Sequence, residues 1–493
     1  MALVRPTVRG RSWRCLSAAV EKGEGPGLPT APDRYPIVGH ALNFKPPKML
    51  DYMLETAAKM DTWAWRYELG TRRPAVVGDP AMAQAICKPN SGWGGRSAAT
   101  LPFVLDSSEA IVGNKLAQGV GFANGPVHHA PARKVAADGL LKQSFVSESE
   151  ATIARKTNEL CEILRRTSGA PVDMQVQYAR CALDIVGALA FKTEVGALRD
   201  EATELEVCLS QFFRGIGENI GTLFPFWRYL PEGTPNRYTK YVRNAKRIIE
   251  LVAPIVAERR AFLDGGGESQ CFVDAFLAED TPYDDTEIVW HAIQILAAGY
   301  DTTSNTLAFT SLVLAGKPGL QAELRAEIIA VAPTGDITAD HVAEMPLLNN
   351  VLKESMRLYP AAPIFGRLYE RDEPWEYDGE VYEKDASCMV VPYLLGRNPH
   401  AWGDDVLEFN PERFANGQRA GNAKHTYAWL PFGFGARGCV GMKLALIEAK
   451  LILAGTVRDF QMDLAPGQSP DPDPVLALTL SNNGGVNLDL TPL

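Results

Sequence analysis

The chain has 493 residues, 46% of them hydrophobic, which is enough to bury a large core, and its 59 acidic and 49 basic residues leave a formal net charge of −10. No Lys/Arg run forms a stripe that could neutralise a phosphate backbone, which argues against nucleic acid as a partner. The eight cysteines, at 15, 87, 161, 181, 208, 271, 388 and 439, include no CxxC pair, which argues against a disulfide scaffold or a zinc cluster, and no run of about 18 uncharged apolar residues offers a spanning helix.

The first 20 residues carry Arg5, Arg9, Arg11 and Arg14 and no acid before Glu21. That composition suits an organelle presequence, mitochondrial or plastid; a basic tail on a cytoplasmic protein is the other reading. Prolines at 26, 29, 32, 36, 46 and 47 favour an extended strap over a helix. Residues 1–34 are therefore set apart as a basic, Pro-rich segment, with the folded domain running over 35–493.

From Trp63 to Val77 the pattern predicts two short strands around Gly70, followed by a helix with Asp79 as cap and Pro80 in its first turn. Residues from about 145 to 262 show helical periodicity, which "DGGGES" breaks. From Asp285 to Gly316 no proline intervenes, which predicts a helix of about 30 residues and roughly 45 Å. A further helix covers "MPLLNNVLKESMRLY", with strands near "IFGRLYE", "WEYDG" and "SCMVVPYLL". Gly396 to Leu430 is irregular and rich in Asn, Pro and Gly. The expected fold is mainly α with a small β-sheet subdomain.

"FGFGARGCVGMKLALIEAKLILAG" sets Cys439 among glycines 433, 435, 438 and 441, just before an amphipathic helix beginning near Met442. Amides of the turn and of the helix N-terminus are expected to stabilise a thiolate and lower its pKa. The glycines permit positive φ and close approach to a flat group. Arg437 is suited to reach a carboxylate, and Phe432 to shield the sulfur. A lone Cys in such a loop can equally be inert or a redox nucleophile.

The whole pattern resembles the haem-binding signature of the cytochrome P-450 family, F-x-x-G-x-R-x-C-x-G, at Phe432, Gly435, Arg437, Cys439 and Gly441. The resemblance covers the chain from about Tyr35 to the end and implies a single triangular α+β domain of that family holding haem b through the Cys439 thiolate. It also implies a role for "AAGYDTTSN", similar to the family's A-G-x-[DE]-T motif at Ala298 to Thr302. Ala298 would lie against the haem, Gly299 and Thr302 would loosen the helix to admit dioxygen, Thr302 would donate to it, and Asp301 would relay protons from water. Glu354, Arg357 and Arg413 resemble the family's structural triad. Arg367 and, less directly, Arg133 with His129 correspond to partners of the haem carboxylates, although Pro131 between the last two leaves His128 as an alternative. Gly396, where the family often has His, and "VYEKDAS" are departures remote from the iron.

The resemblance further implies an enzyme that activates dioxygen and hydroxylates or epoxidises an apolar small molecule such as a lipid, fatty acid, terpenoid or sterol. No dinucleotide-binding turn comes after a strand, so NADPH or NADH acts only through a separate reductase or ferredoxin. Lys424, Arg437 and Lys443 are candidates to meet that partner, and the pocket is expected between 101–120, Ala297, Tyr300, Ile364, Phe365 and the segment near Ser481. A monomer is expected, with peripheral membrane contact left open. A haem-thiolate isomerase, dehydratase or peroxygenase, or a haem-bound gas sensor, are the alternatives, and these have less need of an acid beside Thr302.

Overall fold

The computed structural model describes residues 27–493 except 37–38, 44–47, 70–72, 96–120, 122–128, 142, 168, 200–201, 220–228, 232–233 and 279–280. The arginine-rich head, the Gly70 turn, the 101–120 pocket wall and His128 lie outside the described residues.

The chain begins with α1 (Met49–Met60), β1 (Ala64–Arg66), β2 (Ala75–Val77) and α2 (Pro80–Cys87). The Asp79 carboxylate caps α2 by accepting from Met82 N at 2.7 Å, with Pro80 in the first turn, where no N–H is required. Next comes a helical block: α3 (Ala130–Leu141), α4 (Gln143–Arg166), the short β3 (Val172–Asp173), α5 (Met174–Phe191), α6 (Glu204–Asn219) and α7 (Arg237–Asp264). Helix α7 ends where the glycine run starts, its cap residue being Gly265.

The long helix is α8 (Asp285–Ala315), whose 31 residues start at a reciprocal capping box between Asp284 and Glu287. Then come α9 (Pro318–Val331), α10 (Ala339–Ala343), α11 (Pro346–Leu358), β4 (Phe365–Leu368), β5 (Trp375–Tyr377), β6 (Glu380–Tyr382), β7 (Ser387–Val390), α12 (Pro392–Leu395) and α13 (Pro399–Trp402). Helix α14 (Met442–Asp459) leads into β8 (Phe460–Leu464), the hairpin β9 (Pro474–Leu476) and β10 (Leu480–Asn482), and β11 (Asn487–Pro492).

The main sheet has the order β1-β2-β7-β4, with β2 parallel to β7 and the other pairs antiparallel. Its register sets Arg367 opposite Cys388 and Val76 opposite Met389. The strap joins this sheet upstream of Tyr35: Arg66 N donates to Pro29 O at 2.9 Å and Ala31 N to Arg66 O at 3.0 Å. A second ladder, β3-β11-β8, ties the C-terminal strand to the start of α5.

The larger core lies among the helices, with α5 packed along α8 and Leu183, Ile185, Leu307, Leu312, Ile452 and Leu453 fully buried. Burial of each such side chain contributes about 1.5–3 kcal/mol. A second core under the sheet gathers Trp65, Tyr67, Val76, Val391 and Leu480.

Between α12 and α14 the irregular stretch is fastened from behind. Glu354 on α11 takes both Nε and Nη2 of Arg357, at 2.7 and 2.8 Å, and also accepts from Asn410 N at 2.8 Å. Arg357 in turn donates to the carbonyls of Gly396, Val406 and Glu408, at 2.5, 2.7 and 3.0 Å. Arg413 completes the group, its Nε 3.5 Å from Glu354 and its other nitrogens on the carbonyls of Trp402 and Asp405. All three side chains are buried, so the segment from 396 to 413 hangs on one charged cluster. A Cβ on Gly396 would collide with Arg357 O, which accounts for a glycine at that departure.

Candidate active site

Cys439 sits between the 3₁₀ turn Gly435–Arg437 and the first residue of α14. Gly433 and Gly435 take positive φ, 63° and 68°, and a Cβ on Gly435 would also stand 2.7 Å from Cys87 O. Gly438 and Gly441 take ordinary negative φ, so positive φ explains only the first two glycines. The loop closes when Cys439 N donates to Phe432 O at 2.8 Å, and the Phe432 ring stands edge-on to Trp429.

Cys439 is exposed by surface area, yet desolvation is the largest influence on its thiol. Burial pushes the thiol pKa up, and the Gly441 N–H and the Arg133 guanidinium only partly oppose it. The expected net lowering by backbone amides is thus corrected: in the protein alone the sulfur favours the neutral form.

Arginines crowd the same region. Arg437 is buried, its Nε donates to Gly94 O at 2.7 Å, and its Nη1 has no partner among the described residues. Arg367, 2% exposed on β4, donates only to the adjacent Gly366 O and lies over the Phe365 ring at 4.5 Å. Arg133 on α3 donates to Gly438 O at 2.7 Å. No salt bridge neutralises these three among the described residues, and burial, then Arg367, pushes Arg437 down to about 10. Arg367 and Arg437 are buried and Arg133 half-buried, and Glu370 offsets only part of the charge at Arg437, so the cluster calls for a further anion. A thiol beside Arg133, with Arg367 and Arg437 close by, fits haem b, with its iron and two propionates.

His129 is buried and immediately precedes α3, with Pro131 in the first turn. The helix therefore begins ahead of Arg133 and holds it one turn from His129. The docking expectation needs one correction: Lys424 and Lys443 are not buried, but Arg437 is interior and unavailable to a partner's surface.

Across α8, Ala298 is exposed in the middle of a helix whose residues from Thr303 to Ala315 are all buried. Thr302 Oγ1 donates to Ala298 O at 2.7 Å, and Thr306 and Thr310 repeat the bond one turn later each. Such back-bonding competes with the helical ladder. Helix α8 is nonetheless unbroken through Gly299, so the expected loosening is confined to sharing of that carbonyl. Gly299 has a packing reason instead, since a Cβ there would meet Val186 Cγ2 of α5 at 2.5 Å.

The half-buried Asp301 carboxyl accepts from Thr479 Oγ1, and Asn305 Nδ2 donates to the same hydroxyl at 3.4 Å. Burial pushes Asp301 up to about 6, against the opposing Thr479 and Asn305 hydrogen bonds. Tyr300 is buried with its ring 6.3 Å from Phe213 of α6, so it packs against that helix.

Two residues escaped sequence reading. Thr479 lies 178 positions from Asp301 and carries no motif. Glu448 on α14, 2% exposed, is pushed by burial up to about 8, with Thr303 opposing, and its Oε1 has no partner among the described residues. An acid inside the apolar stripe "LALIEAKLILAG" was the available signal. Stability from the neutral Glu448 is fully present below the unfolded value near 4.5 and is lost as pH rises through about 8. Glu448→Gln is expected to remove that loss, which is on the order of a few kcal/mol at pH 9. Thermal midpoints measured from pH 5 to 9 check this, and parallel curves for variant and parent would place the acid in water.

A helical domain with a cysteine loop of this form and an acid–alcohol pair on its longest helix belongs to the haem-thiolate oxygenases. The cytochrome P-450 family profile matches residues 29–487, and the chain belongs to that family. It is similar to a cytochrome P-450 of Caenorhabditis elegans, 28% identical over 354 residues, 64% of this chain and 67% of the relative. A second from the same organism is 26% identical over 477 residues, 88% of each chain. The mitochondrial sterol 26-hydroxylase of Homo sapiens is 28% identical over 311 residues, 60% of this chain and 56% of the relative. The protein is accordingly a haem b-dependent monooxygenase fed by NAD(P)H through a redox partner. Among the described residues, no helix is long and apolar enough to cross a membrane.

Proposed function

We propose that the chain hydroxylates or epoxidises an apolar small molecule of the lipid, fatty acid, terpenoid or sterol class, with Cys439 as the ligand of the haem iron. The bound haem supplies the metal centre at which dioxygen is reduced. Arg437, Arg367 and Arg133, with His129, hold its propionates; Gly433, Gly435 and Gly441 shape the loop, and Phe432 covers the sulfur. Support for these roles lies in the Arg437 Nη1, which has no partner among the described residues, and in the convergence of the buried Arg367 and Arg437 with the half-buried Arg133, none of them in a salt bridge there.

The observation that carries the reaction type is the pair on α8. Thr302 Oγ1 commits its one proton to Ala298 O, which corrects the expected donation to dioxygen, and its lone pairs remain free to accept from a water. Asp301, held near pKa 6, can exchange protons with that water at neutral pH. An isomerase, dehydratase or peroxygenase has less need of such an acid.

Thr302→Ala is expected to retain the substrate-induced Soret shift while diverting most electrons from product to peroxide. Equal peroxide yields in variant and parent would remove Thr302 from the proton route. The substrate class rests on the apolar Ile364, Phe365 and Leu480 and on a sterol-oxidising relative. A Soret-shift screen across sterols, terpenoids and fatty acids tests it, followed by turnover with NADPH and a surrogate reductase against a hydroperoxide alone. We further read the acid-free basic head as an organelle presequence, in keeping with a mitochondrial relative; fractionation of cells expressing the full chain decides.

A further inference from the structure

The turn of the β9–β10 hairpin stands over α8. Ala477 N donates to Thr479 O at 3.0 Å, which makes Thr479 the last residue of the turn, and Leu480 N donates to Ala361 O at 3.0 Å, which fixes the hairpin to the segment leading into β4. Leu480 and Leu476 are buried with Phe309 of α8 and Met389 of β7, so the hairpin is seated on the same face that presents Ile364. Thr479 itself is 9% exposed.

Its hydroxyl makes two hydrogen bonds of opposite sense. Asn305 Nδ2 is a donor only, so at 3.4 Å the Thr479 oxygen must accept from it. The one proton on that oxygen is then left for Asp301 Oδ2, which as a carboxylate can only accept. Asn305 lies one turn beyond Asp301 on α8, so the chain Asn305 to Thr479 to Asp301 leaves the helix, passes through the hairpin and returns.

We propose that Thr479 is the positioning residue for Asp301, holding the carboxylate of the oxygen-activating helix through the hairpin that walls the substrate cavity. The proposal rests on the monooxygenase reading of Asp301. The acid's proton affinity thereby depends on the hairpin as well as on its own helix: with Thr479 in place the carboxylate is stabilised.

Other titratable groups do not account for the effect. Tyr300 is next to Asp301, Arg180 of α5 pairs with Glu206 of α6 at 3.1 Å, Glu448 of α14 adjoins Thr303, and Asp473 stands at the hairpin base. The shift of Asp301 arises from burial, Thr479 and Asn305 alone.

The test compares the haem-loaded parent, Thr479→Val and Thr479→Ser by infrared difference titration of the carboxyl stretch, with Asp301→Asn identifying the band. Thr479→Val is expected to raise the midpoint by about one pH unit or more, because a hydrogen bond to a charged acceptor is lost, and Thr479→Ser to restore it. Asn305→Leu is expected to raise it as well and serves where Thr479→Val does not retain haem. An unmoved midpoint in both variants overturns the proposal. Peroxide yield against pH is read in parallel: its profile moves to higher pH with the midpoint when Asp301 relays protons. A midpoint that moves while the yield stays flat upholds the positioning and overturns the relay reading beneath it.

Discussion

Replacing Cys439 by Ser is expected to abolish the red-shifted absorption of the reduced carbon monoxide complex while leaving a folded chain. The fold survives because the loop is closed by Cys439 N on Phe432 O, which Ser retains, and by the positive-φ glycines upstream. The spectrum changes because only a thiolate donates enough electron density to displace the band. Burial disfavours a bare thiolate here, so under the proposed ligation coordination would hold the charge, and a neutral hydroxyl would not replace it. A difference spectrum of the dithionite-reduced variant is the measurement; a band kept at its original position would refute the ligand.

The second large effect is expected far from the iron. Arg357→Ala leaves Glu354 ionised and buried with one distant cation, and strands the carbonyls of Gly396, Val406 and Glu408. Breaking a buried pair costs about 3–5 kcal/mol, a large part of the roughly 5–15 kcal/mol that stabilises a typical domain. The expected outcome is protein that is synthesised but mostly lacks haem, seen as a collapsed ratio of Soret to protein absorbance and a lowered thermal midpoint. Haem content equal to the parent would show that the stretch from 396 to 413 has other supports. Lysine at 357 does not rescue, because it cannot reach both carboxylate oxygens and three carbonyls at once.

Much of the architecture was legible where local chemistry decides it. Asp79 with Pro80, the glycine run after Asp264 and the proline-free span from 285 to 316 each marked a helix end that the structure has within a residue or two. The cysteine loop was legible for the same reason, since its residues are contiguous. Charge balance between distant segments was not. Nothing near Asp301 in sequence announces Thr479, and nothing near Cys439 announces that desolvation outweighs the amides around the sulfur. Gly299 was misread in part because a glycine in mid-helix has two causes, ladder weakness and close packing, and only the approach of Val186 distinguishes them. Arg437 was assigned both to a carboxylate and to a docking face; burial allows only the first.

The stitching of the strap to β1 sets a limit on maturation. Pro29 and Ala31 are bonded to Arg66, Leu28 N reaches Glu380 Oε2 at 2.6 Å, and that same carboxylate pairs with the Arg66 side chain. Under the proposed presequence reading, a cut upstream of Leu28 would leave these bonds intact. A cut a few residues further in would unzip the outermost strand, release Glu380 and open the sheet that carries Arg367.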